Sequence, residues 1–168
     1  MTIAPERARS ATPDPTPNPS LRLWLHLMKA ARLIEARANR RLRQNHGQSL
    51  ARFDVLAQLL RLGDDWVPTG QLSARLLAVG GNATGVLDRM ELDGLIERRA
   101  SPVDRRSYEV RVTEAGRALL AAMNEDHTAW IAEMLAAMPL DRQTALTELI
   151  IEARHAFNAT DANTKSDA

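Results

Sequence analysis

Residues 69–113 read TGQLSARLLAVGGNATGVLDRMELDGLIERRASPVDRRSYEVRVT, and this stretch decides the fold. Leu72, Leu76 and Leu77 follow Thr69, a good cap residue, at spacings that give a short helix a buried face. Val79-Gly80-Gly81 makes a turn, since two glycines allow two helices to approach closely. Asn82, a preferred N-cap, opens the next helix, whose inward face is Val86, Leu87 and Met90. Gly94 closes it as a C-cap. Leu95–Arg99 reads as a strand. Tyr108–Val112 is a second, with Tyr108, Val110 and Val112 on one face and Glu109 and Arg111 on the other. Residues 100–107 form the loop between them, and Thr113 caps a further helix.

Two helices joined by a tight turn and followed by a hairpin define a winged helix-turn-helix, a module that places one helix in the DNA major groove. On the second helix Ala83, Thr84, Gly85, Asp88 and Arg89 fall largely on the outward side. Thr84 and its small neighbours let the helix sit deep in a groove, and Arg89 reaches a phosphate or a guanine edge. Asp88 is repelled by DNA unless Arg89 or another cation neutralises it. The hairpin tip presents Arg105 and Arg106 at the end of a lever, a shape that enters a narrow minor groove. Asp104 is placed to pair with Arg106 and fix its direction. The same residues in another setting make an ordinary solvated helix face and a charged surface turn.

Working outward, Trp66-Val67-Pro68 forms a short strand that closes the wing sheet, with Pro68 suited to an edge. Gly63-Asp64-Asp65 is a turn. A helix over about 50–62 turns Phe53, Leu56, Leu59 and Leu60 inward, and His46-Gly47 separates it from a long first helix over about 20–45, capped by Ser20. Leu21, Trp24, Leu25, Met28 and Ala31 recur at three- and four-residue steps, and Leu23, Leu27, Leu33 and Ile34 widen the stripe. A helix apolar on nearly all sides wants two partners, and a second subunit is one of them. Its later half is basic, with Arg37, Arg40, Arg41 and Arg43, which reads as a solvated helical end favoured by the helix dipole. After Thr113 a helix carries Leu119, Leu120, Met123, His127, Trp130, Ile131, Met134, Leu135 and Met138, on the order of 35 Å of rise. Pro139 breaks it. Asp141 caps a last helix with Leu146, Leu149, Ile150, Ala153 and Phe157 on its apolar face. The domain reading is a Pro-rich arm over 1–19, dimerisation helices over 20–48 and 114–158, the DNA-binding unit over 49–113, and a disordered tail over 159–168.

Composition agrees. Of 168 residues, 45% are hydrophobic and 4% aromatic, which favours helix over sheet. Residues 1–112 hold 18 Lys/Arg and 12 Asp/Glu, a balance of +6, while 113–168 hold 4 and 9, a balance of −5, giving the net +1. A basic half beside an acidic half fits a chain that turns one face to a polyanion. The absence of cysteine excludes disulfides and thiol sensing. No apolar run reaches ~18 residues, so no membrane span is expected, and the start lacks the apolar core of a secretory signal. The expected location is cytoplasmic.

DRRSYEVRVT at 104–113 resembles the wing signature of the MarR family, D-x-R followed by an alternating strand and a final Thr. MELDGLIERR before it resembles that family's recognition-helix exit and second wing strand. The likeness extends over roughly 20–157, and the GGNATG opening differs from the family's Ser/Thr-rich versions. The resemblance implies a mainly α chain with a small β wing, a homodimer built from the first and last helices, and a double-stranded palindromic operator with half-sites one helical turn apart. It implies a repressor more often than an activator, released by a small anionic aromatic acid. The whole chain looks like a branch controlling aromatic-acid and hydroxycinnamate catabolism, where the effector extends to CoA thioesters. Carried over by position, Asp104 and Arg106 are the wing pair, and Asn82, Thr84 and Arg89 belong to the reading helix.

Nothing in the pattern points to an enzyme, a cofactor or a metal. His26, His46, His127 and His155 never pair at i, i+4, Gly80-Gly81 lacks the continuation of a phosphate loop, and no nucleophile–base set is evident. His127 and Trp130 lie within one turn beside Met123 and Met134, a wall able to orient an anionic aromatic ligand. Trp24, His26 and Arg32 are further ligand candidates, and the Arg32 guanidinium suits a carboxylate. Ordinary packing accounts for the same five residues. A protein-interaction module built on a winged helix, without ligand response, is the alternative function.

Overall fold

The structure, a computed structural model, describes residues 18–77, 82–104 and 106–166, with side chains to Asn158. The element order is α1 (Pro19–His46), α2 (Leu50–Leu62), β1 (Val67–Pro68), α3 (Thr69–Ser73), α4 (Ala83–Leu92), β2 (Ile96–Ala100), β3 (Tyr108–Val112), α5 (Glu114–Leu135) and α6 (Leu140–Ser166). This is the expected helical chain with a small wing. The Pro-rich arm over 1–17, the Val79-Gly80-Gly81 turn, Arg105 and residues 167–168 lie outside the described residues.

Local chemistry sets the boundaries. The α1 cap is Asn18 rather than Ser20. Its Oδ1 accepts from Ser20 N at 2.9 Å and Leu21 N at 3.3 Å, and Pro19 sits at the first helical position, where a missing N–H costs nothing. Gly47, with φ 65°, ends α1. Ser49 caps α2 through Arg52 N. The helix after β1 is shorter than expected, and Thr69 is its first residue rather than its cap. Leu72 is buried, but the chain leaves the helix at Ala74, so Leu77 turns out to solvent at 87% exposure. At the other end of the chain, α5 stops at Leu135. Asp141 lies inside the first turn of α6 rather than capping it. The backbone of α6 continues helically to Ser166, past the expected end, because 158–166 contain neither Gly nor Pro to stop it.

The sheet order is β1-β3-β2, all antiparallel, with Val67 opposite Val110 and Arg98 opposite Val110 on the other side. Pro68 is on the edge, where its lack of an N–H removes no ladder bond. One core joins the elements: Leu42 from α1, Val55, Leu56 and Leu59 from α2, Leu72 from α3, Leu87 and Met90 from α4, Ile96 and Val110 from the sheet, Leu120 and Met123 from α5.

The tightest approach in that core is Gly116, at the first turn of α5. A Cβ there would collide with the Leu95 carbonyl oxygen and lie 2.9 Å from Val112 Cγ1. Gly116→Ala is expected to lower unfolding stability in urea by about 1–3 kcal/mol through overpacking. Gly70→Ala, where nothing lies within 4 Å of the added carbon, is not.

Candidate nucleic-acid interface

α4 presents the face that a groove would meet. Leu87 and Met90 point into the core, while Asn82, Thr84, Asp88 and Arg89 are exposed. Asn82 stands at the helix start, but its side chain makes no capping hydrogen bond. Gly94, with φ 69°, ends the helix in a Schellman turn: Gly94 N donates to Glu91 O and Leu95 N to Met90 O, both at 2.9 Å. That reversal lays β2 back along α4. Arg98 of β2 therefore reaches Asp88 at 2.6 Å and Glu91 at 3.8 Å. The cation that neutralises Asp88 is Arg98, while Arg89 is exposed on the outward face with no ion pair among the described residues. Between α3, α4 and the sheet lies a cleft of about 300 Å³ lined by Thr69, Ser73, Thr84, Arg98 and Tyr108 among others.

The described residues of the wing loop are joined by short-range hydrogen bonds. Asp104 Oδ1 accepts from the backbone N–H of Arg106 at 2.9 Å. This corrects the expected side-chain pair: a carboxylate two residues upstream reaches the main chain first, as in an Asx turn, and the exposed Arg106 guanidinium remains available. Ser101 N donates to Ser107 O at 2.9 Å, and Ser101 Oγ accepts from Val103 N and Asp104 N. Behind the tip, Glu109 is buried, with 8% of its surface exposed. It pairs with Arg99 at 2.8 Å and meets Ser101 Oγ at 3.4 Å. Trp66 lies between two guanidiniums, Arg99 at 4.4 Å and Arg111 at 4.8 Å from the ring centroid. Glu109 keeps the face that alternation gives it, opposite Val110, and Trp66 and Arg99 cover that second face of the sheet.

Of the five ligand candidates, two lie on α5, each against a different neighbour. His127 stacks on Phe53 with centroids 4.7 Å apart, and burial pushes its imidazole below the ordinary value. Trp130 is buried in the core, 6.2 Å from the His46 ring. Trp24, His26 and Arg32 are exposed on the first half of α1. Arg32 lies nine residues from Arg41, which faces Trp130, so the separation within one chain is roughly 13 Å. Across the α1–α5 seam His46 meets Asp126 at 2.9 Å, and Arg41 grips Glu133 with two hydrogen bonds of 2.6 and 2.9 Å.

The periodicity of the chain did not reveal several of these positions. Arg98 and Asp88 are ten residues apart and meet only through the Gly94 reversal. Trp66 meets its arginines through strand register. Asp54 carried a readable signal, a carboxylate on the inward run FDVLAQLL. It is buried to 8% and accepts from the Leu77 N–H, tying α2 to the end of the α3 segment.

The helix pair, the three-stranded wing and the outward-facing Arg89 and Arg106 define a DNA-binding transcriptional regulator of the winged helix-turn-helix class. A family model described as the MarR family matches residues 46–107. The HTH-type transcriptional regulator MhqR of Bacillus subtilis is 34% identical over 131 residues, covering 78% of this chain and 88% of that protein. A MarR family transcriptional regulator from Silicibacter pomeroyi superposes with a TM-score of 0.73 at 29% identity, over 82% of this chain and 94% of that one. The organohalide-sensing regulator RdhR, solved with 2,4-dichlorophenol bound, shares the fold with a TM-score of 0.73 at 19% identity, over 90% and 89% of the two chains. The chain belongs to the MarR family. Its relatives are transcription regulators, not enzymes. No helix among the described residues is long and apolar enough to cross a membrane.

Two outcomes follow from the geometry. The depressed His127 pKa means that the unfolded chain takes up the proton first as pH falls. Stability from this group is therefore complete above about pH 6.5 and lost below it. Denaturant midpoints at pH 7.5 and 5 should differ less in His127→Phe than in the parent. Separately, Arg98→Met should weaken duplex binding by uncovering Asp88 and Glu91, and Asp88→Asn in the same chain should recover part of the loss. Fluorescence anisotropy with a labelled promoter fragment reads both.

Proposed function

We propose that this protein is a homodimeric repressor of a palindromic operator, released by a small anionic aromatic acid or its CoA thioester. The observation that carries the reading is the concentration of uncovered apolar surface on α1 and α6. Leu23 and Trp24 are each 55% exposed, Leu149 61% and Phe157 58%. A groove of about 360 Å³ between the two helices is lined by Leu23, Leu27, Leu146, Leu149, Ile150 and Ala153 among others. A patch of this kind is covered in solution, and a second copy of the same helices provides a self-complementary partner. On this reading 20–48 and 114–158 join the subunits, and 49–113 carries the DNA contacts through Asn82, Thr84, Arg89, Asp104, Arg105 and Arg106. Two-fold symmetry then presents two α4 helices to two half-sites.

The effector reading draws on the α1–α2–α5 junction, where His127 and Trp130 sit between the apolar end of the chain and the winged unit. A ligand that displaces Phe53 from His127 moves α2 against α5, and with α2 the helices it supports. RdhR, of the same fold, holds a chlorinated phenol.

Anisotropy titrations at several salt concentrations, with a fragment of the protein's own promoter region, test the reading. The dimer is expected to prefer that fragment over random duplex, and a panel of aromatic acids and their thioesters should contain one that abolishes the preference. Arg106→Ala should lower the slope of log K against log salt by about 1, as for one phosphate contact. Arg89→Ala should cost about 1–3 kcal/mol at one base position if the contact is to guanine. Equal affinity for random duplex would overturn the proposal.

A further inference from the structure

The later half of α1 does more than end in solvated cations. Arg37, Arg40, Arg41 and Gln44 are spaced three and four residues apart and share one face of the helix. With Glu133 and Met134 of α5 they line a cleft of about 420 Å³. Three guanidiniums against one carboxylate leave a charge of +2 in that cleft. The carboxylate is already engaged, since Glu133 is held by both Nη atoms of Arg41. That contact drives the Glu133 carboxyl below its ordinary range and the Arg41 guanidinium above its own, so the pair stays ionised. About two helical turns away along α5, Asp126 is taken by His46. Arg37 and Arg40 have no acidic partner within 4 Å among the described residues.

We propose that this cleft is an anion site for a doubly charged phosphoryl group, with Arg37 and Arg40 as its forks and Arg41 at its inner edge. Like charges held within one helical turn repel, and a cleft lined by one sign of charge concentrates counter-ions. Planar guanidiniums match pairs of phosphate oxygens. A dianion cancels the +2, whereas a single carboxylate leaves half of it. The volume falls in the range of small-molecule sites. The cleft is displaced from the DNA-reading face, because Glu133 stands 19 residues beyond Glu114, roughly 28 Å along α5 from the wing base. The anion it meets is therefore a separate molecule. An incoming phosphoryl group also competes with Glu133 for Arg41, and so acts on the α1–α5 seam. The inference rests on the effector-release reading, to which it adds the chemistry of the effector's charged end.

Calorimetric titration of the full chain in phosphate-free buffer tests it, with inorganic phosphate, pyrophosphate and AMP as probes and benzoate as a monoanion. One pyrophosphate or AMP is expected per chain. The Arg37→Gln/Arg40→Gln double variant should bind them at least tenfold more weakly, with an unchanged melting temperature and unchanged benzoate affinity. AMP binding without phosphate binding assigns a phosphate ester; comparable binding of both assigns the free anion. Equal titrations in parent and variant, no binding at millimolar probe, or a loss confined to benzoate would each overturn the site. So would a loss of operator affinity in the variant without any anion present, with a salt slope smaller by about 2, since the arginines would then be backbone contacts. Intact operator binding and release by an aromatic acid, with no anion bound, would sink this site and leave the regulator reading standing.

Discussion

Thr113 ties three elements together within one residue. Its Oγ1 donates to Gly94 O at 2.7 Å and accepts from Gly116 N at 3.1 Å, while its own N–H donates to Leu95 O at 3.1 Å. The end of α4, the last wing strand and the first turn of α5 are thereby joined, and Gly116 lets α5 lie against the Leu95 carbonyl. The angle between the reading helix and the wing depends on this joint. So does the path of α5, which carries the seam residues Asp126, Trp130 and Glu133 toward the far end of the chain.

Around that joint, long arginines bridge elements that the core alone leaves loosely oriented. Arg52 of α2 reaches Asp93 at the end of α4, Arg98 of β2 reaches Asp88 on α4, and Arg117 of α5 reaches Asp64 before β1, each at 2.6 Å. Exposed pairs of this kind stabilise by only about 0–1 kcal/mol each. Their larger effect is on the sign of the surface. Carboxylates on α4 face inward-lying cations, so that Arg89 and Arg106 dominate the outward side, the arrangement a polyanion requires.

The α1–α5 seam links the two ends of the molecule. His46–Asp126, Arg41–Glu133 and the buried Trp130 between them fasten the helix that continues into the apolar end to the helix that begins at the wing. Beside it, the His127–Phe53 stack connects α5 to α2. A ligand acting at either contact therefore has a short mechanical route to α4.

Periodicity was enough to read the winged helix-turn-helix, because the alternation of Val110 and Val112, the stripe of Val86, Leu87 and Met90, and the Gly94 and Thr113 punctuation are properties of neighbouring residues. It placed Thr84, Arg89 and Arg106 on the outside for the same reason. It misread Leu77, whose helical spacing lapses when α3 ends. The partner of each charge was not legible at all. Arg98 meets Asp88, Arg99 meets Glu109 and Arg41 meets Glu133 only after a chain reversal or the packing of distant helices brings them within reach. The sequence by itself determined which segments turn, coil and bury. The tertiary structure alone decided which cations are spent on internal carboxylates and which, as at Arg37, Arg40, Arg89 and Arg106, are left facing outward, because ion pairing depends on distances of 3–4 Å between residues that the chain holds far apart.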